Sequence, residues 1–296
     1  MSVSDYHKYS FSDILVLLPE WRNWYTHTTQ NRASKGLGVR VSPPAPVFSL
    51  TKRQMKVVVD NLILNFEQFH DGEKNLVILH GWGRALNEWV PIAKSISGYT
   101  VTLLDLPGFG LSEGADEALD TYGYTKLVKE FLRKIEINKC VLVGHSFGGR
   151  IATIIAAENP EMIEKLVLVD SGGIEIKSVK IRAKIVFYKV FLKPIKKLIP
   201  KGVRRLYGSS DYRVLSGILR QSFIKIVNQD LRYLFSRIKV PVLVLWGSND
   251  RVLPVSYVKI YRSLIMQAGI RIIWEADHRP YITKPKEFLQ ILKEYI

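Results

Sequence analysis

The chain predicts an α/β protein built on a mostly parallel, doubly wound sheet, with a helical lid inserted between core strands. Three observations carry this. From residue 55 onward, short apolar runs alternate with stretches of helical period, the pattern of strand–helix units. Several runs, such as Val141–Val143 and Val242–Trp246, are apolar without polar alternation, as strands buried on both faces require. Turn-rich segments at 80–83, 105–110, 144–149, 246–250 and 275–280 each follow such a run. That puts them at the carboxyl ends of strands, where open α/β sheets bind their ligands.

Taken in order, Lys56 to Asp60 and Leu62 to Phe69 read as two strands joined by a turn at Asp60-Asn61. Asn75 to Leu79 is a short strand ending in His80-Gly81-Trp82-Gly83, and Leu86 to Ile96 has helical spacing. Tyr99 to Leu104 is a strand that runs into Asp105-Leu106-Pro107-Gly108-Phe109-Gly110. Tyr122 to Ile135 is an amphipathic helix. The apolar run Val141–Val143 leads through Gly144-His145-Ser146-Phe147-Gly148-Gly149-Arg150 into a helix over Ile151 to Ala157. Leu166 to Val169, Val240 to Trp246 and Ile270 to Trp274 are further strands, and Val255 to Met266 and Lys286 to Tyr295 further helices.

Residues 171–238 interrupt the alternation with helical runs at Lys177 to Ile199 and Val214 to Phe235. An insertion at that point of the sheet is expected to cover the site as a lid, leaving 55–170 and 239–296 as the core. It is also the most basic stretch. Its lysines and arginines, among them Lys193, Lys196, Lys197, Arg204 and Arg205, are faced only by Glu175, Asp211 and Asp230. Most of the formal charge of +16 therefore sits here. Charge alone raises nucleic acid as a partner, but no nucleic-acid motif accompanies it, so none is expected. Apolar residues such as Ile181, Phe187 and Phe191 interleave with these lysines, leaving contact with a membrane surface open beside the lid reading.

The single cysteine, Cys140, lies inside a strand and excludes an internal disulfide, which fits a reducing, cytoplasmic setting. No apolar run reaches the roughly 18–20 residues of a membrane helix. Residues 1–54 show no persistent period, and Pro43-Pro44-Ala45-Pro46 breaks any regular element. Part of this segment resembles the translation of a transfer-RNA gene. Thr29-Gln30-Asn31 can be encoded by ACTCAAAAT, Val39-Arg40-Val41 by GTTCGAGTC and Pro44-Ala45-Pro46 by CCGGCACCA. The segment is expected to be disordered or spurious, with Met55 as the true start.

The chemistry gathers around Ser146. A serine between an apolar strand and a helix, flanked by glycines two residues before and two after, fits a sharp strained turn. There Gly144 and Gly148 must approach each other and Gly149 allows close packing of the helix. A serine hydroxyl needs a base, and the base needs an orienting carboxylate. Leu245-Trp246-Gly247-Ser248-Asn249-Asp250 and Ala276-Asp277-His278-Arg279-Pro280 follow later strands and offer both. On these motifs, in this order and strand context, the chain from Met55 to Ile296 resembles the α/β-hydrolase superfamily. The resemblance implies a Ser146–Asp250–His278 triad, with Asp170 at the end of the preceding strand as the rival acid. It also implies an oxyanion hole from the backbone N–H groups of Trp82 and Phe147, and structural roles for His80 and for 105–110.

The resemblance implies a cofactor-independent serine hydrolase, with no metal site and a small-molecule carboxylic ester as substrate. A serine nucleophile argues against the branches that form an ester on aspartate. His80-Gly81-Trp82-Gly83 together with 105–110 resembles esterases that cleave a pimeloyl methyl ester on acyl carrier protein, an acidic partner that would suit a basic lid. A carbon–carbon bond hydrolase on the same triad and a non-catalytic binding protein of this fold remain the alternatives.

Overall fold

The computed structural model describes residues 52–70, 72–174 and 217–296. The expectations for 1–51, for the helical run Lys177–Ile199 and for the basic cluster around it lie outside the described residues.

Eight strands form one sheet in the order β1-β2-β4-β3-β5-β6-β7-β8. They are β1 Lys52–Val59, β2 Leu62–Phe69, β3 Lys74–Leu79, β4 Tyr99–Leu104, β5 Cys140–His145, β6 Ile163–Val169, β7 Val242–Gly247 and β8 Gly269–Ile273. β1 and β2 form an antiparallel hairpin, β2 meets β4 antiparallel, and every later pairing is parallel. The hairpin turns at Asp60 and Asn61, both at positive φ (43° and 64°). These are residue types that tolerate the left-handed region. β1 begins at Lys52, with Met55 paired opposite Phe66, so the strand starts earlier than the Lys56 read from the sequence.

The helices are α1 Val90–Ala93, α2 Thr121–Lys134, α3 Phe147–Glu158, α4 Gly217–Val227, α5 Arg232–Phe235, α6 Tyr257–Leu264, α7 Pro280–Thr283 and α8 Pro285–Tyr295. The stretch expected as one helix over Leu86–Ile96 is a 3₁₀ turn, Leu86–Trp89, followed by the single turn of α1. Pro91 explains the break, because it has no N–H to give a helix continuing through it. The run Val214–Phe235 likewise divides, with α4 and α5 separated by a turn in which Asp230 accepts the backbone N–H of Arg232 (3.0 Å). α7 was missed because a four-residue helix shows no period.

Alternate residues of the buried strands face opposite layers. In β5, Cys140 and Leu142 join the layer containing Phe131 of α2 and Ile151 of α3, while Val141 and Val143 join the layer containing Trp89, Ile92 and Phe288. The sheet is thus covered on both faces, which is why its central strands carry no polar alternation. α2 starts where Asp120 accepts the N–H of Gly123 (2.8 Å) and ends on Arg133 and Lys134, a cap and charge order that suit the helix dipole. β3 pairs β4 on one side and β5 on the other. The chain therefore reverses its direction of travel at β3, the kind of switch point at whose strand ends open α/β sheets bind ligands.

Candidate active site

Ser146 sits between β5 and α3 at φ 49°, ψ −104°. A non-glycine residue at such angles costs roughly 1–3 kcal/mol and persists only where its surroundings hold it. Three backbone hydrogen bonds do so. The Ser146 N–H donates to Val169 C=O (3.0 Å), the Gly172 N–H to Ser146 C=O (3.0 Å), and the Gly148 N–H to His80 C=O (3.1 Å). The flanking glycines are steric requirements. A Cβ on Gly144 would stand 2.6 Å from the Gly148 carbonyl oxygen, and one on Gly148 would stand 2.6 Å from the Leu79 carbonyl carbon. Gly149 packs against Ser171 at the end of β6.

The loops after β7 and β8 bring Asp250 and His278 to this turn. Gly247 lets the carbonyl of Ala276 approach, and the Asn249 N–H donates to it (2.9 Å), so the two loops are laced together. Asp250 Oδ1 accepts the N–H groups of Val252 (2.7 Å) and Leu253 (2.9 Å). Its other oxygen, Oδ2, lies 2.7 Å from His278 Nδ1. With Nδ1 donating there, Nε2 is left as the acceptor, 3.1 Å from Ser146 Oγ. The Asp250 side chain is fully buried, while that of His278 is 19% exposed.

Asp170 ends β6 at φ 40° and is completely buried. Its Oδ1 accepts the Gly247 N–H (3.0 Å). It lies beside Asp250 and His278, one ligand-type atom of each falling within 4.8 Å of the others. Asp250 and His278 are hydrogen-bonded to one another and to Ser146 or backbone N–H groups, while Asp170 Oδ2 is buried without a partner. Burial, reinforced by the Asp250 carboxylate, pushes Asp170 well above the usual carboxylate range. Asp170 does not touch His278 through any hydrogen bond among the described residues, and Asp250 does.

His80 and Asp105 organise the floor of the crevice. His80 Nε2 accepts the Leu106 N–H (3.0 Å), which leaves Nδ1 to donate to Gly81 C=O (2.8 Å). Burial lowers its pKa and keeps that neutral tautomer. Asp105 accepts the N–H groups of Leu86 (2.8 Å) and Leu111 (2.9 Å) and the amide of Asn65 (2.8 Å). These contacts fix the 80–83 loop next to the Ser146 turn. Among the described residues neither the Trp82 N–H nor the Phe147 N–H has a protein acceptor, and both residues border the cavity in front of Ser146.

That cavity measures about 260 Å³. Phe223, Ile226 and Val227 of α4 and Val252 and Leu253 of the β7 loop supply apolar walls. A larger depression on the outer face of α8 is lined by Lys286, Gln290 and Lys293 and stands away from all of these groups.

Several contributors were not singled out in the sequence. His145 is buried and donates from Nε2 to the backbone carbonyl of His278 (2.8 Å). Burial, then the neighbouring His278, hold it neutral, well below the ordinary histidine value. Tyr281 of α7 stacks on Trp89 (ring centroids 3.8 Å) and donates to Glu88 (2.9 Å), bracing the same loop. Arg150, one turn into α3 from Ser146, is 8% exposed and lines the cavity. Its spacing of four from Ser146 was the available signal, since such residues share a helix face.

A sequence profile of the α/β hydrolase fold matches residues 74–210. Pimeloyl-[acyl-carrier protein] methyl ester esterase of Wigglesworthia glossinidia brevipalpis is 30% identical over 257 residues, covering 76% of this chain and 94% of that protein. The chain belongs to the α/β-hydrolase superfamily. Lipase 3 of Moraxella sp. is 26% identical, covering 72% of this chain and 74% of its own. The crystal structure of a membrane phospholipase A superposes with a TM-score of 0.67 at 27% identity, over 82% of this chain and 85% of that one. An esterase from Exiguobacterium antarcticum, at 19% identity and a TM-score of 0.66 over 82% and 99% of the two chains, shares the α/β-hydrolase fold. Among the described residues no helix is long and apolar enough to cross a membrane.

Proposed function

We propose that this α/β-hydrolase cleaves carboxylic esters through an acyl-enzyme on Ser146. The observation that carries the reading is the continuous hydrogen-bonded run from Asp250 through His278 to Ser146, at 2.7 and 3.1 Å, opening on a mostly apolar cavity. His278 Nε2 takes the Ser146 proton as Oγ attacks the ester carbonyl, and Asp250 steadies the resulting imidazolium. The N–H groups of Trp82 and Phe147 receive the oxyanion, with the N-terminus of α3 adding its dipole. His278 then gives its proton to the departing alcohol. In the second half it activates water, which releases the acid and restores Ser146. The segment 171–238 is the lid in this reading, and α4 is the part of it that walls the cavity. The esterase relative named above and the basic stretch of that segment support a second reading, a carrier-bound ester, in which the far end of the acyl chain is tied to the carrier and bears no free carboxylate.

Labelling of the full chain with a fluorescent fluorophosphonate tests the reading. Wild type is expected to label and Ser146→Ala to remain dark at equal folded amount. A folded wild type that neither labels nor hydrolyses any of a series of acyl esters refutes it.

A further inference from the structure

Arg150 is a cation held where the proposed reaction would take place. It lies on α3 four residues after Ser146, is 8% exposed, and lines the cavity in front of that serine. A side chain on Gly172 would stand 2.6 Å from Arg150 Nε, so the guanidinium passes close over the residue whose N–H holds the Ser146 carbonyl. Nη1 donates to the Gln229 backbone carbonyl (2.9 Å). No acceptor meets its other N–H groups among the described residues. Asp230 contributes favourable charge from nearby, but its carboxylate is forked onto Arg232.

A bond to one carbonyl does not require a charge. A methionine or leucine would fill the same space, and burying a guanidinium without a hydrogen-bonded partner costs several kcal/mol. Burial here does disfavour the charged form, as its lowered pKa registers. The surrounding wall of Phe223, Ile226, Val252 and Leu253 makes the cation more conspicuous, because it is the one buried lysine or arginine among the described cavity residues; Arg84, which also borders the cavity, is exposed and pairs with Glu88. A planar fork of unused donors in an apolar recess fits a carboxylate in two-point contact.

We infer that Arg150 selects esters that carry a second, free carboxylate, so that the substrate is the monoester of a short dicarboxylic acid. The inference rests on the ester-hydrolase reading and names its substrate class. In use, the apolar walls hold the intervening methylenes, Arg150 receives the far carboxylate, and the ester carbonyl is set at Ser146. Gln229 C=O keeps the guanidinium aimed between visits.

The experiment compares 4-nitrophenyl hydrogen adipate with 4-nitrophenyl hexanoate, of equal chain length, on wild type, Arg150→Met and Arg150→Lys. Charge-assisted hydrogen bonds of this kind lead us to expect at least about a tenfold preference in kcat/KM for the acidic ester in wild type. The ratio of the two kcat/KM values should fall to about one in Arg150→Met and be partly restored in Arg150→Lys. A wild type that hydrolyses both esters equally, or a preference that survives Arg150→Met, overturns the inference while leaving the ester-hydrolase reading intact. Binding supplies a readout that needs no turnover. Monomethyl glutarate should raise the melting temperature of Ser146→Ala but not of Ser146→Ala with Arg150→Met, whereas methyl butyrate should raise neither. Equal shifts in the two variants also overturn the inference. Should Arg150→Met fail to fold, Arg150→Lys carries the comparison, and a full adipate preference there counts against a role for the fork.

Discussion

Asp250→Asn and Asp170→Asn should behave as opposites, and the structure says why. Asp250 Oδ1 is fixed by two backbone donors, the N–H groups of Val252 and Leu253. An asparagine there must point its carbonyl oxygen at them, which turns its NH₂ toward His278 Nδ1. A donor facing Nδ1 forces the proton onto Nε2, and an Nε2–H cannot accept the proton of Ser146 3.1 Å away. The analogous change in a serine protease lowers kcat by about 10⁴, equivalent to about 5.4 kcal/mol at 1.36 per tenfold. The same order is expected here, with little change in KM because the substrate pocket is untouched. At Asp170 the logic reverses. Its Oδ1 accepts the Gly247 N–H, so an asparagine oxygen replaces it there, and a neutral amide stands where burial already disfavours the carboxylate. Asp170→Asn should stay within about threefold of wild type, a difference of roughly 0.7 kcal/mol. Initial rates on a 4-nitrophenyl ester at pH 7 measure both variants. A collapse of Asp170→Asn, or near-normal rates in Asp250→Asn, would refute the assignment and return the acid role to Asp170.

The remaining expectations concern stability. The raised pKa of Asp170 means the native protein keeps a proton that the unfolded chain releases near pH 4. Its contribution therefore falls as pH rises from about 4 through the native value, and Asp170→Asn should flatten that fall in urea titrations carried upward from pH 4; an unchanged slope contradicts it. Gly144→Ala sets a Cβ 2.6 Å from the Gly148 oxygen and should cost roughly 1–3 kcal/mol while abolishing fluorophosphonate labelling. A variant that melts and labels like wild type would mean the turn can relax.

Residue order alone determined a good deal of this protein. The apolar runs marked seven strands from Leu62 onward within a few residues, because strands buried on both faces cannot hide among polar neighbours. Gly144 and Gly148 announced a close backbone approach, since no other residue leaves room for it. Local sequence also placed Ser146, Asp250 and His278 at strand ends, though it left Asp170 and Asp250 in competition. Only the tertiary structure separated those two. Whether a carboxylate meets His278 Nδ1 depends on how the loops after β7 and β8 are laced, through contacts such as Asn249 N–H to Ala276 C=O. The brace of His145 and Tyr281 on the His278 loop was invisible for the same reason, and the spacing of Arg150 from Ser146 gave no sign that Gln229 would hold its guanidinium. A side chain's neighbours across the fold follow from packing of distant segments, and one-dimensional spacing carries no record of them.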